Sequence, residues 1–240
     1  MNWKPWTGCY GVSEGCKYCY IYGQYSKRHG QNTIEKTEEF DKPIAKTAKG
    51  LPRIGSGKIV ATCFATDFFI PEADEWRVDA WSMIKQRPDL DFLILTKRID
   101  RFMVSLPTDW DDGYDNVNIG CTVENQDLAS YRLPLLVSYP LKRRFIACAP
   151  LLGPIDLTPY LGQVDHVTVG GETGRAARVC DYDWVLDIRE QCVSAGITFL
   201  FRNTGSFFKQ GDVVQKVNPF KQHSQAKELE ISIMDEKKLY

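Results

Sequence analysis

The stretch KIVATCFATDFFIPEADEWRVDAWSMIKQRPDLDFLILT, residues 58–96, decides the fold class. It opens with KIVATCFAT (Lys58–Thr66) and closes with DFLILT (Asp91–Thr96). Both are short apolar runs rather than alternations, the pattern of strands buried on both faces. Between them, Asp74–Gln86 brings Trp76, Ala80, Met83 and Ile84 near one face of a helix. A strand, a helix and a strand within roughly 30 residues form a crossover unit, and its two strands lie parallel.

The same alternation continues downstream. Val117–Val123 (VNIGCTV), Arg143–Cys148 (RRFIAC), His166–Val169 (HVTV) and Ile197–Phe201 (ITFLF) read as further strands. A short helix is expected over Arg98–Leu106, and a longer one over Asn125–Val137 with Leu128, Tyr131, Leu135 and Leu136 near one face. Asp183–Ala195 sets Trp184, Ile188 and Cys192 on one face, with Gly196 placed to cap the end. One more strand is expected near Lys4–Gly8. The fold class is therefore α/β with about six parallel strands, an incomplete (β/α) barrel or an open sheet. Gln24–Gly57 is polar and reads as the end of a first helix followed by a long loop. The domain is expected to span residues 1–212. Residues 213–240 form a charged tail with one apolar alternation (LEISIM), read as frayed or loosely docked.

Composition narrows the functional classes. The chain has 240 residues, 43% hydrophobic and 25% charged, which excludes collagen, a long coiled coil and bulk disorder. No run approaches the roughly 20 apolar residues of a membrane span. MNWKPWTGCYG lacks the apolar region of an export signal, so a cytoplasmic protein without membrane contact is expected. With 30 Lys+Arg against 31 Asp+Glu, a strong overall positive field is absent, and only a local basic patch could meet nucleic acid.

Three of the eight cysteines, Cys9, Cys16 and Cys19, fall within eleven residues as Cys-x6-Cys-x2-Cys; the other five are scattered. In a reducing compartment such a cluster points to metal or redox chemistry rather than disulfides. Gly8, Gly11 and Gly15 allow the tight turns that let three thiolates point inward, and Lys17 and the N-terminal amine would help to stabilise them. Spacing alone leaves three readings open. A structural zinc would need a fourth ligand, for which His29 is the nearest in sequence. A four-iron cluster held by three cysteines would keep one iron open. The thiols could also be incidental. His166 and His223 have no ligand partner by spacing and read as structural, and Cys63, Cys121 and Cys192 sit in apolar patterns as core residues.

The order of motifs resembles the radical S-adenosylmethionine (radical SAM) superfamily. Within it, the chain is similar to an uncharacterised phage-associated three-cysteine family related to spore photoproduct lyase. The carrying blocks are WKPWTGCYGVSEGCKYCY (Trp3–Tyr20), CFATDFF (Cys63–Phe69), LTKR (Leu95–Arg98), GCTVENQ (Gly120–Gln126), APLLGPIDL (Ala149–Leu157), VGGETG (Val169–Gly174) and FLFRNTG (Phe199–Gly205). The first cysteine interval is longer than the superfamily's usual Cys-x3-Cys-x2-Cys, as in the narrower family. Arg202-Asn203-Thr204-Gly205 stands where that family often has Lys-Gln-Trp-Gly, and Ala149 where it often has an acidic residue.

The resemblance implies a partial TIM-like barrel of about six parallel strands. It implies a [4Fe-4S] cluster on Cys9, Cys16 and Cys19, with S-adenosylmethionine chelated to the open iron. One-electron reduction, by a partner such as flavodoxin or ferredoxin, would cleave it to a 5′-deoxyadenosyl radical that abstracts hydrogen from substrate. Tyr20 would sit near the adenine. Thr66 and Asp67 at one strand end would meet the methionine amine, and Thr96 and Lys97, with Arg98, at the next would meet its carboxylate. Glu124 and Asn125 would bind the ribose hydroxyls. Glu172 would line the far side of the pocket toward the substrate, and Cys148 would be a hydrogen-atom donor. Simpler readings stand beside these: Asp67 as a turn residue, Asn125 as a helix cap, Cys148 as core. The substrate expected from the resemblance is a nucleotide or nucleic-acid base. The alternative is a non-catalytic zinc- or iron–sulfur-binding protein on the same scaffold.

Overall fold

A computed structural model describes residues 1–19, 21 and 33–233. The chain enters as β1 (Asn2–Trp3), then bends so that β2 (Trp6–Thr7) pairs antiparallel with β3 (Glu35–Lys36) away from the main sheet. The single strand expected over Lys4–Gly8 is thus two short ones, because Pro5 between them has no N–H to extend a ladder. β1 survives at two residues because its flanks are also paired: Ala61 N–H donates to the Met1 carbonyl at 2.7 Å and Cys63 N–H to that of Trp3 at 3.1 Å.

The crossover units follow as expected. β4 (Ile59–Thr62) leads through α1 (Asp74–Lys85) to β5 (Asp91–Thr96), then β6 (Val117–Thr122), α2 (Gln126–Ser138) and β7 (Arg143–Cys148). The one-turn α3 (Thr158–Leu161) precedes β8 (His166–Gly170); β9 (Val179–Asp181) and α4 (Tyr182–Ala195) precede β10 (Thr198–Asn203). Gly196 caps α4 at a left-handed φ of 67°. The main sheet runs β1-β4-β5-β6-β7-β8-β10, parallel throughout. It is a half-barrel of seven strands rather than six, the extra one being β1.

Two elements are shorter than expected. β4 stops at Thr62 because Cys63 adopts a left-handed φ of 60° and starts a turn closed by Thr66 N–H on the Cys63 carbonyl at 3.1 Å. Arg98–Leu106 holds only a single 3-10 turn, Ile99–Arg101, that buries Ile99 and Phe102. The buried face of α2 is also rotated: Ala129, Arg132, Leu133 and Leu136 point inward, while Tyr131 is exposed.

The main core fills the space between the sheet and its helices, where Trp81, Phe92, Leu133, Ile188 and Phe199 are fully buried. Strand residues of opposite parity face the concave side. Leu93, Phe145 and Ala147 form a small apolar cluster there, and His166, Thr168 and Thr198 a polar one.

The segment after residue 212 is not loose through residue 233. β11 (Phe207–Gln210) pairs with β9 and with β12 (Val213–Lys216), so the boundary expected at 212 falls inside a hairpin. α5 (Gln222–Glu228) buries Gln222 and Ala226, and Ile233 forms a bridge with Phe199 on β10. Among the described residues, no helix is long and apolar enough to cross a membrane.

Candidate functional site

The cysteine loop lies over the C-terminal ends of β4, β5 and β6. Gly8 starts it at a φ of 82°, where a side chain would also collide with the Thr33 carbonyl. Thr66, past the end of β4, donates its hydroxyl to the Gly8 carbonyl. A 3-10 turn over Glu14–Cys16 then sets the spacing of the last two thiols, with Cys16 N–H on Ser13 and Cys19 N–H on Cys16 at 3.0 and 3.1 Å. Cys9, Cys16 and Cys19 all line one cavity of about 170 Å³. None of the eight cysteines is in a disulfide. Among the described residues, no three His, Cys, Asp or Glu side chains are grouped closely enough to bind a single metal ion.

Asp67 is buried beneath this loop and its oxygens are occupied. Oδ1 accepts from Thr96 Oγ1 at 2.7 Å and Phe69 N–H at 2.9 Å; Oδ2 accepts from Lys97 N–H at 3.0 Å and pairs with Arg98 at 3.2 Å. This is a turn carboxylate that ties two strand ends together, not one held open for an amine. Thr96 is buried and also accepts from Arg98 N–H at 2.8 Å. Arg98 reaches across to the loop, donating to the Tyr10 carbonyl at 2.9 Å, stacking on the Tyr10 ring at 4.6 Å and hydrogen-bonding the Cys9 sulfur.

Glu124, fully buried past the end of β6, plays the matching part for the turn that carries Cys16. Its carboxylate accepts from Ser13 Oγ at 2.6 Å, from Arg132 at 2.9 Å and from Lys97 Nζ. Gly15 packs directly on it, and a Cβ at that position would overlap the carboxylate. The expected ribose contact is therefore not available to Glu124 in this arrangement. Asn125 caps α2, accepting from Leu128 N–H at 3.0 Å.

These surroundings treat the thiols differently. Burial, with Asp67 adding to it, pushes Cys9 up to about 11 despite Arg98. Burial also opposes ionisation of Cys16, but Lys97 and hydrogen bonds from Val12 and Ser13 outweigh it and hold Cys16 below the ordinary thiol value.

A second chamber of about 350 Å³ adjoins the first, sharing Cys19, Lys97 and Ala149. Glu172 lines it, and Arg178 grips that carboxylate through Nε at 2.9 Å and Nη2 at 2.6 Å. Arg178 also donates to the Glu14 carbonyl at 3.0 Å, so it clamps the cysteine loop from the far side. Arg202 and His223 line the same chamber, with His223 Nδ1 on the Arg202 carbonyl at 2.7 Å. Cys148 lines neither cavity; it faces the main core, where burial raises its thiol well above the ordinary value. Its neighbour Ala149 is the residue at that strand end that meets both cavities. Tyr20 and His29 lie outside the described residues.

An open depression of about 510 Å³ occurs at the opposite, N-terminal ends of the strands, but its two lysines pair with acidic neighbours, Lys85 with Asp109 and Lys142 with Asp115. Parallel barrels carry their chemistry at the C-terminal ends, which is where the thiols are.

Sequence reasoning placed the strand-end residues correctly and missed what holds them. Arg132 and Arg178 belong to none of the motifs in the sequence, and Cys63, expected in the core, also lines the thiol cavity. The one local signal was Arg132 on the apolar face of α2, eight residues after Glu124. The chain belongs to the family described as protein of unknown function (DUF5131), which matches residues 1–237. No curated protein and no solved structure matches it.

Proposed function

We propose that this DUF5131 protein is a radical SAM enzyme acting on a nucleotide or nucleic-acid base. The observation that carries the reading is the convergence of Cys9, Cys16 and Cys19 on one cavity at the C-terminal ends of a parallel half-barrel, beside a second chamber. The donor set fits a [4Fe-4S] cluster. Three thiols face a common space, and Lys97 and Arg98 stand next to Cys16 and Cys9 to offset thiolate charge. When bound, such a cluster and S-adenosylmethionine supply a 5′-deoxyadenosyl radical on one-electron reduction, with a flavodoxin- or ferredoxin-like partner as electron source.

This chain's residues then divide into two groups. Asp67, Glu124, Arg98, Arg132 and Arg178 position the loop from beneath and from the side. Lys97, Gly171, Glu172, Arg202 and His223 face the adjoining chamber, where cofactor and substrate would meet. Arg202 and His223 there suit an anionic, phosphate-bearing substrate, which supports the nucleotide reading.

One observation favours the non-catalytic alternative. Cys63 lines the thiol cavity too, and a fourth cysteine could complete a fully thiolate-ligated iron–sulfur site. Metal uptake tests the cluster assignment. The anaerobically reconstituted protein should be brown and hold about four irons per chain, and Cys16→Ala should lose both colour and iron. A colourless protein that takes up only zinc would overturn the reading.

A further inference from the structure

A fourth cysteine lines the cavity, and it comes from a different part of the fold. Cys9, Cys16 and Cys19 sit on the N-terminal loop, whereas Cys63 sits on the barrel wall just past β4. Its backbone is fixed by the bond from its N–H to the Trp3 carbonyl at 3.1 Å and by the turn that Thr66 closes on its own carbonyl. Its side chain is fully buried. Of the five cysteines outside the motif, it alone lines this cavity among the described residues. A cysteine on the wall of a cavity that three others line can offer a ligand.

Resting on the cluster reading above, we infer that Cys63 is a displaceable fourth ligand, which caps the open iron while S-adenosylmethionine is absent. On capping, the Cys63 S–H proton leaves to solvent as the iron–sulfur bond forms. When the cofactor's amine and carboxylate take the iron, that bond breaks and the sulfur regains a proton. No electron is transferred. Full thiolate ligation is the usual state of such clusters, and the cap would hold the iron that three-cysteine ligation leaves exposed.

The test compares full-length wild type with Cys63→Ala and Cys63→Gly, each reconstituted anaerobically with iron and sulfide and no S-adenosylmethionine. Glycine accepts a φ of 60° without strain, so the second variant keeps the comparison if the first folds poorly. Ferricyanide is added, and loss of one iron is followed by the electron paramagnetic resonance signal of the three-iron product. Both variants should lose that iron about tenfold faster than wild type, and added S-adenosylmethionine should slow them to the wild-type rate. Equal rates in all three proteins would refute the role of Cys63 and leave the cluster intact as a finding. A wild type that binds no iron would overturn both inferences.

Discussion

Glu124 carries more of the site than any other single residue. It is fully buried, and two cations and the Ser13 hydroxyl converge on it. Removing one partner from a buried ion pair typically costs about 3–5 kcal/mol, because the remaining charge is left without compensation. Glu124→Ala should lose stability on that scale in urea unfolding, as it would leave the buried Arg132 guanidinium with the Thr122 carbonyl at 2.8 Å in place of its carboxylate partner. Gly15→Ala separates the loop from the fold. The added methyl would push the loop off the Glu124 carboxylate, so iron uptake should fall sharply while the unfolding free energy changes by less than about 1 kcal/mol. Normal uptake in Gly15→Ala would mean that this contact does not set the loop. Both strand-end carboxylates were visible in the sequence, but their roles were not. Asp67 and Glu124 follow strands and so read as ligand contacts. Only the three-dimensional approach of Arg98 and Arg132 shows that their oxygens are already used.

Strands bounded by crossovers were legible because their apolar runs are continuous; β5 and β7 begin and end where the sequence places them. β1, β2, β3 and β12 were not, since two to four residues with no alternation exist as strands only through their partners. The concave face was likewise hidden, and β8 gives it a titratable group. His166 Nδ1 meets Thr198 Oγ1 and Nε2 meets Thr168 Oγ1, each at 2.8 Å. Because the Thr198 hydroxyl proton goes to the Asp165 carbonyl at 3.0 Å, Nδ1 is the donor to Thr198. Burial pushes this imidazole down to about 4. An unfolded histidine takes up its proton near 6.5, so between these values the unfolded chain binds more protons than the folded one. The stabilisation is complete above about pH 6.5 and is lost as pH falls toward 4, by about 3 kcal/mol in all. Urea titrations across that window should show the loss in wild type and a flatter profile in His166→Gln. Identical profiles would place the titration elsewhere.

At the scale of the whole molecule, the half-barrel leaves its thiol cavity at one end, and the C-terminal segment completes the wall beside it. Thr204 N–H donates to the Gln222 carbonyl at 3.2 Å, and Phe199 and Ile233 exchange backbone bonds at 2.8 and 2.7 Å. Truncation after residue 212 would break the β11–β12 hairpin and uncover β10. It should therefore yield an aggregating or non-cooperatively unfolding protein; a soluble product with a wild-type melting transition would show the segment to be dispensable. The tail's docking was not legible because its contacts are long-range and its helix is short and polar. In the proposed function, the thiol loop and the half-barrel together make a radical SAM centre. Its most direct measurement is anaerobic incubation of the reconstituted protein with dithionite and S-adenosylmethionine, followed by quantification of 5′-deoxyadenosine. Wild type should form 5′-deoxyadenosine and methionine over time, and Cys16→Ala neither. A fully iron-loaded wild type that forms no more 5′-deoxyadenosine than Cys16→Ala would contradict it.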